Sequence, residues 1–524
     1  MNADSSSLLP LQEWAVQVHP DDNVAVAKRP LPAGLQMKLP SGRALQLNHE
    51  VKPGHRFALI ALGNGERVRQ YGQPIGTSKG MAAGDWVSHG NMSDEIPVVR
   101  DLPKDFHRPA PQQLDPDQCP KFTGILRPDG RVGTRNFLLI VPTSMCASHE
   151  AVQIATLAEF RLLENGAYEH VDGVVAIPHN KGCGCSNGNN IEVLLRTLAN
   201  YAAHPNVGGV LFIDLGCEKT NMELLDAYLK KKGGLGWNKP RHWIGIQEVG
   251  GTQAAVKAGF EAVEAMLPQV NEANRSLQPA SALTLGVKCG GSDGFSGLTA
   301  NPALGRAADE LIRCGGTVLL TEVPEFCGAE HVLAHRAKDA ETGQKVYEMV
   351  DWYQQHAARV GAQLAMNPSP GNIEGGLLNI AIKSLGAIAK AGNSRVEGVT
   401  DYAQPPKTSG LHLMQGPGYD QESTPGLVAA GAQVVVFTTG RGTTIGNAIA
   451  PVIKLASNNE VFERMNEDLD LSAGSILDGG ESLDDVGQRI FDHVVNVAAG
   501  KVMAKAEINR HREFQVWAEA SVSL

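Results

Sequence analysis

The hydrophobic rhythm of the chain changes near residue 120. Before that point, short β-prone runs such as "WAVQVH", "NVAVAK", "RALQL", "RFALIAL" and "ERVRQYG" are separated by glycine- and proline-bearing turns, with no long amphipathic pattern among them. Residues 12–98 therefore predict a small β domain. Residues 99–120, "VRDLPKDFHRPAPQQLDPDQCP", hold five prolines and little apolar pattern. They predict a linker of limited flexibility and the clearest domain boundary. From 121 onward, near-continuous apolar runs end in loops of glycine, cysteine, serine and threonine. Examples are "NFLLIVPTSMC", "DGVVAIPHNKGCGC", "GGVLFIDLGCE" and "ALTLGVKCGGSD". Strands without alternation suit a sheet buried on both faces, so this part predicts a parallel-sheet α/β fold.

The segment after "ALTLGV" shows the unit most plainly. Asn301 is placed to cap a helix and Pro302 to enter its first turn. Leu304, Ala307, Ala308, Leu311 and Ile312 share one helical face, Gly315 can end the helix, and "TVLL" starts the next strand. "KCGGSDGFSG", residues 288–297, thus falls at the carboxyl end of a strand. In open α/β sheets ligands bind at that edge.

Charge and composition narrow the function. The formal net charge is −10, the pI is about 5.9, and Lys and Arg form no cluster, which argues against nucleic acid. A binder of anions would then need a locally positive site. No apolar run reaches the ~20 residues of a membrane span. The N-terminus lacks the pattern of a signal peptide, so a cytoplasmic location is expected. In that compartment the eight cysteines are thiols, ligands or core residues, and C-x-C at 183–185 is not a zinc-finger spacing.

Cys146, Cys183, Cys217 and Cys289 each follow an apolar strand. One such cysteine is more often a packing residue. Four in the same structural position are expected to converge at one sheet edge, as thiolate ligands for iron, zinc or an iron–sulfur cluster, or as reactive thiols. In the β domain, His19, Asp22, Asn23 and His55 could form a divalent-metal or proton-transfer site; the plainer alternative is a surface turn and a hydrogen-bonded histidine. The two histidines are expected within about 6 Å of each other or of one metal. "TTGRGTT" offers Thr439 and Arg441 to a carboxylate or phosphate. "NPSPGN", with Asn372, is a second rigid anion loop or a simple proline turn, and "RVGTRN" adds two arginines before a strand. Walker and G-x-G-x-x-G loops are missing, which weakens a nucleotide-dependent oxidoreductase.

The ordered set "VHPDDNVAVA", "GHRFAL", "YGQPIG", "GRVGTRN", "GCG", "DLGCE", "KCGGSDGFSGLTANPALG", "TEVPE", "NPSPGN", "KSLG" and "TTGRGT" resembles the altronate/galactarate dehydratase family over residues 14–515. The resemblance implies an N-terminal SAF-like (β-clip) domain, a second α/β domain at 121–275 and a Rossmann-like domain at 276–524. It implies a homodimeric hydro-lyase that converts a small-molecule sugar acid, altronate before galactarate, into a 2-keto-3-deoxy acid. It also implies a divalent metal, typically iron(II); the cysteine loops leave an iron–sulfur cluster open beside it. Under it, Lys288, Cys289, Ser292 and Asp293 touch substrate, and His19 or His55 is a metal ligand or the acid/base. "CGC" carries one thiol more than the family pattern needs, Cys185. A sugar-acid sensor without catalysis and a related lyase with another leaving group are the competing readings.

Overall fold

The computed structural model describes residues 8–164 and 166–519. Its N-terminal part is built from small antiparallel sheets. Val24–Ala27 lies between Ala15–Val16 and Arg56–Ala58, and the long hairpin Leu62–Gln70/Gln73–Met81 carries Met92–Ser93 on its edge. Strands this short are held by side chains, and Leu31, Met37, Val51 and Phe57 are fully enclosed. Residues 99–120 take up no helix or strand. They are tied to the C-terminal part: Leu114 N donates to the Arg313 carbonyl at 2.8 Å, and Arg100 pairs with Asp351 at 2.8 Å.

The apolar runs become two parallel sheets. The first contains β1 (Phe137–Pro142), β2 (Gly173–Ala176), β3 (Val207–Asp214) and β4 (Arg241–Gly245), in the spatial order β2-β1-β3-β4. The second contains β5 (Thr284–Cys289), β6 (Thr317–Leu320), β7 (Val396–Thr400), β8 (Gly410–Met414), β9 (Val434–Thr439), β10 (Val452–Ala456) and β11 (Leu471–Ser472). Its order is β7-β8-β6-β5-β9-β10-β11. Helices cover both sheets, so β1 and β9 are buried at every residue, as their unbroken apolar runs require. Among the described residues no helix is long and apolar enough to cross a membrane.

These orders locate the crevices. In the second sheet the chain leaves β5 toward β6 on one side and resumes at β9 on the other. In the first it leaves β1 toward β2 and resumes at β3. A crevice opens at the carboxyl ends where the order reverses, between β5 and β9 and between β1 and β3.

The helix after β5 spans Ala300–Arg313 and buries Leu304, Ala307, Ala308, Leu311 and Ile312; Gly315 follows with φ +86° and β6 begins at Thr317. Asn301 does not cap it. The residue before the helix is Thr299, and Asn301 is turned inward, donating to the Gly386 carbonyl at 2.9 Å and accepting from the Thr438 hydroxyl at 2.6 Å. Those two buried groups need a partner, and the Asn301 amide meets both.

The N-terminal part docks on the second sheet through bare backbone. Gly294 N donates to the Gly375 carbonyl at 2.7 Å, and a Cβ on Gly294 or Gly376 would collide with the Gly54 carbonyl. Around this contact, His55 Nε2 meets the Glu374 carbonyl at 3.0 Å and the buried Arg56 guanidinium bonds the Gly376 carbonyl. Two of the glycines in "KCGGSDGFSG" therefore have separate tasks: Gly294 admits another domain, while Gly291 supplies a left-handed turn, φ +60°. Gly294→Ala is expected to cost about 1–3 kcal/mol through overpacking against backbone. A denaturant melt, with proteolysis of the N-terminal part as a second readout, checks it.

Candidate active site

The carboxyl ends of β5 and β9 are stitched together. Gly290 N donates to the Thr438 carbonyl at 3.1 Å, and Gly440 N and Arg441 N donate to the Gly291 carbonyl at 3.1 and 2.9 Å. Beneath this seam lies a nest of buried ions. Lys288, fully enclosed, bonds Glu322, Asp420 Oδ1 at 2.6 Å and its neighbour's carbonyl at 2.8 Å. Glu322 shares its other oxygen between Lys390 Nζ at 2.7 Å and Cys289 N at 3.1 Å. Cys289 Sγ lies 3.2 Å from Glu325 Oε2 and 2.8 Å from Lys390 Nζ. Lys383 closes the group, 2.8 Å from Glu325 and 2.9 Å from Asn367 Oδ1.

Three ammonium groups and three carboxylates balance in charge, which is how so many ions tolerate burial. Burial alone would neutralise the lysines, but Asp420 and Glu322 hold Lys288 protonated well above the ordinary range, and Cys289 and the glutamates do the same for Lys390. Glu325 is driven the other way: burial would raise it, yet Lys383, Lys390 and Lys288 hold it below the usual carboxylate range. Burial and the two glutamates push the Cys289 thiol up to about 12, against the pull of Lys390 and Lys288. Glu322 sits at φ +75°, uncommon for a residue with a Cβ and the kind of strain that gathers at functional sites. Asp420 is the cluster's opening, its side chain 30% exposed.

The profile of the D-galactarate/altronate dehydratase C-terminal domain matches residues 280–522, that of the second domain 124–271, and that of the SAF domain 13–95. An altronate dehydratase of Bacillus subtilis (strain 168) is 34% identical over 512 residues, covering 96% of this chain and 98% of its own. An altronate dehydratase of Escherichia coli (strain K12) is 35% identical over 505 residues, with coverage of 96% and 98%. The galactarate dehydratase (L-threo-forming) of the same organism is 36% identical over 498 residues, covering 93% of each. The chain belongs to the D-galactarate/altronate dehydratase family. It is a hydro-lyase of the altronate/galactarate dehydratase type, a multidomain α/β protein with a SAF domain in front.

Within this family frame the residues expected from sequence take distinct places. Lys288 and Cys289 lie in the ion nest. Asp293 is buried two turns of chain further on, and its carboxylate accepts from Ser296 Oγ at 2.8 Å, Ser457 Oγ at 2.9 Å and Asn458 Nδ2 at 3.1 Å. Burial raises its pKa against those bonds. Ser292 Oγ is buried without a hydrogen-bond partner, while its carbonyl accepts from Asn372 Nδ2 at 2.7 Å. Asn372 also closes a capping box with Ser369. Thr439 Oγ1 accepts from Gly442 N at 3.0 Å. Arg441, half exposed, pairs with Glu374 at 3.3 Å and lines a cleft of about 460 Å³ with Lys28, Arg29 and Asp293. Lys28, Arg29, Arg441 and Arg464 bring positive charge to this cleft, beside the acids Asp293, Glu460 and Asp478. The arginines of "RVGTRN" are structural: Arg131 pairs with Asp129 at 2.7 Å, and Arg135 grips Glu507 at 2.6 and 2.8 Å.

His19 and His55 serve different surroundings. His19 lines an open cleft with Asp21, Asp22 and Arg69, whereas His55 is buried beneath Glu374 and beside Trp86. Asp22 spends its carboxylate on the backbone N–H groups of His19, Tyr71 and Gly72, at 2.9, 3.1 and 2.8 Å. Of the four strand-end cysteines, Cys289 is buried in the second sheet, and Cys146, Cys183 and Cys217 are exposed on the first. Sequence reasoning missed Glu322, Glu325, Lys383, Lys390 and Asp420. The first three stand inside the quoted motifs "TEVPE" and "KSLG".

Cys289, Glu322 and Glu325 are, among the described residues, the group of three or more such side chains whose donor atoms lie within 4.8 Å of one another. That spacing is compatible with a metal. Each donor is already engaged, Cys289 and Glu322 by Lys390 and Glu325 by Lys383, so a cation would have to displace an ammonium group from its partner. His19, Asp22 and His55 do not assemble into such a group.

Proposed function

We propose that this chain removes water from a sugar acid, altronate first and galactarate second, to give a 2-keto-3-deoxy acid. The observation that carries this reading is the charge-balanced ion nest at the sheet's reversal point, open to solvent through Asp420. The proton beside a carboxylate is weakly acidic, and its removal leaves an enediolate that needs fixed positive charge. Lys288, held protonated by Glu322 and Asp420, supplies that charge without reorganising. Asp420, the partly exposed carboxylate, takes the proton from C2. Asp420 returns that proton to the C3 hydroxyl, which leaves as water as the C3–O bond breaks, and the enol becomes the keto acid by losing its C2 hydroxyl proton to solvent and gaining one at C3. Ser292, with its unpaired hydroxyl, bonds a substrate hydroxyl. Asp293 is a positioning residue that holds the loop, since Ser296, Ser457 and Asn458 occupy its oxygens. His55 orients the SAF domain over the site.

The cleft at Arg441 receives the substrate's carboxylate, in ground and transition states alike. Arg441→Ala is then expected to raise KM roughly tenfold with a smaller effect on kcat, since a bidentate guanidinium contact to the bound acid is lost. Steady-state kinetics check it, and an unchanged KM in a folded variant removes Arg441 from the carboxylate site. The reading as a whole is tested by anaerobic incubation of the chain, reconstituted with iron and sulfide, with a panel of aldonates and aldarates. Formation of a 2-keto-3-deoxy acid that fails in Asp420→Asn supports it. Binding across the panel without product overturns it.

A further inference from the structure

We propose that Cys146, Cys183 and Cys217 ligate a [4Fe–4S] cluster whose fourth iron has no protein ligand. The three residues follow β1, β2 and β3, three neighbouring parallel strands, at their carboxyl ends. Cys146 and Cys217 thereby flank the reversal point of the first sheet, where this architecture binds ligands.

The loops are bound to one another. Glu218, next to Cys217, accepts from Ser144 Oγ at 3.0 Å and Thr143 Oγ1 at 2.9 Å, just ahead of Cys146. It also accepts from the backbone N–H groups of Leu215, Gly216 and Cys217 at 2.9, 2.7 and 3.0 Å, which fixes the turn that carries the thiol. Met145 N donates to the Lys181 carbonyl at 2.7 Å, and a Cβ on Gly182 would touch Ser144, so the Cys183 loop lies directly on the Cys146 loop. The fourth cysteine of the region, Cys185, packs against the hydrophobic core instead. Three thiols are thus presented outward from a rigid frame, and one is withdrawn.

Spacing chooses between kinds of metal. Thiolates on one tetrahedral ion lie within about 4 Å of each other. These three do not form a group of donors within 4.8 Å, so they do not stand as the ligands of one such ion. A cluster takes its thiolates on separate irons, which suits one cysteine from each of three neighbouring loops. Three ligands for four irons leave one iron open to a Lewis base. His179, at the head of the Cys183 loop, lies against Phe514 of the C-terminal segment. An iron left open in this way would take a substrate hydroxyl in exchange for water, with no electron transferred; this last clause rests on the dehydratase reading.

The test begins with the full chain purified anaerobically and reconstituted with iron and sulfide. About four iron and four acid-labile sulfide per chain are expected, with loss of at least half of both in Cys146→Ser, Cys183→Ser and Cys217→Ser but not in Cys185→Ser. Since a serine variant can misfold, alkylation of the unmutated chain is mapped as well. Cluster loading should slow labelling of the three thiols at least tenfold, and chelation should restore it. Iron without sulfide, equal labelling with and without loading, or full retention of the cluster in the three variants overturns the proposal. Turnover by the cluster-free chain refutes the open iron's part in the reaction and leaves dehydration standing. A loaded chain that turns over no sugar acid refutes the dehydratase reading and leaves the cluster.

Discussion

Lys288→Met is expected to lower turnover about 10²–10³-fold, the usual loss when one fixed donor to a developing anion is removed. The same variant should be less stable by about 3–5 kcal/mol, because it leaves Glu322 and Asp420 as buried charges with one partner fewer. The two effects separate in measurement. Turnover is taken at a temperature where circular dichroism shows the variant folded, and stability from its denaturant midpoint. Methionine fills the channel of the lysine stem with a similar volume, so lost packing contributes little. A variant that is destabilised yet turns over normally would reduce the ion nest to a structural device. A variant that is stable and inactive would strengthen the catalytic assignment.

Glu325→Gln is expected to cost about 3–5 kcal/mol at pH 7, since Lys383 and Lys390 lose a compensating charge in a fully enclosed site. Its dependence on pH has a definite sign. The folded carboxyl titrates below the unfolded one, so its stabilisation is complete well above the unfolded value and fades as pH falls through it toward the folded value. The gap between the two proteins should therefore narrow by about 1 kcal/mol between pH 7 and pH 4. Urea midpoints at the two values check this. A gap that widens in acid would mean that Glu325 is held protonated in the native protein.

Much of this was legible in the residues because strands buried on both faces announce themselves as unbroken apolar runs. "NFLLIVP" and "AQVVVF" could be little else, and the loops after them had to lie at strand ends. What periodicity does not carry is spatial order. Nothing in "NFLLIVP" tells that it will sit between β2 and β3, so neither reversal point could be drawn, and Cys289 could not be separated from the other three strand-end thiols. The ion nest was hidden for a related reason. Lys383 and Lys390 stand seven residues apart in "IAIKSLGAIAK", two helical turns and one face, within a segment otherwise too apolar for exposed lysines. Glu322 and Glu325 carry the same hint at a spacing of three. Asp420 carries none, because its part depends wholly on what the fold brings to it. The two histidines were conspicuous in sequence because little else around them was polar, and His55 Nε2 meets a carbonyl 319 residues away.

That distance has a meaning for the nascent chain. The SAF domain is synthesised first, yet the surface on which it rests is made by Gly294, Gly375 and Gly376. At elongation rates of about 5–20 residues per second, the 320 residues between Arg56 and Gly376 take roughly 15–60 s to appear. For that interval Gly54, His55 and Arg56 face the ribosome's surroundings with their carbonyl partners unmade. Docking therefore waits until residue 376 has been made. Because backbone meets backbone where Gly54 approaches Gly294 and Gly376, a misplaced neighbour has little room there, and the loop at 288–297 reaches its final contacts only once both parts of the chain have folded.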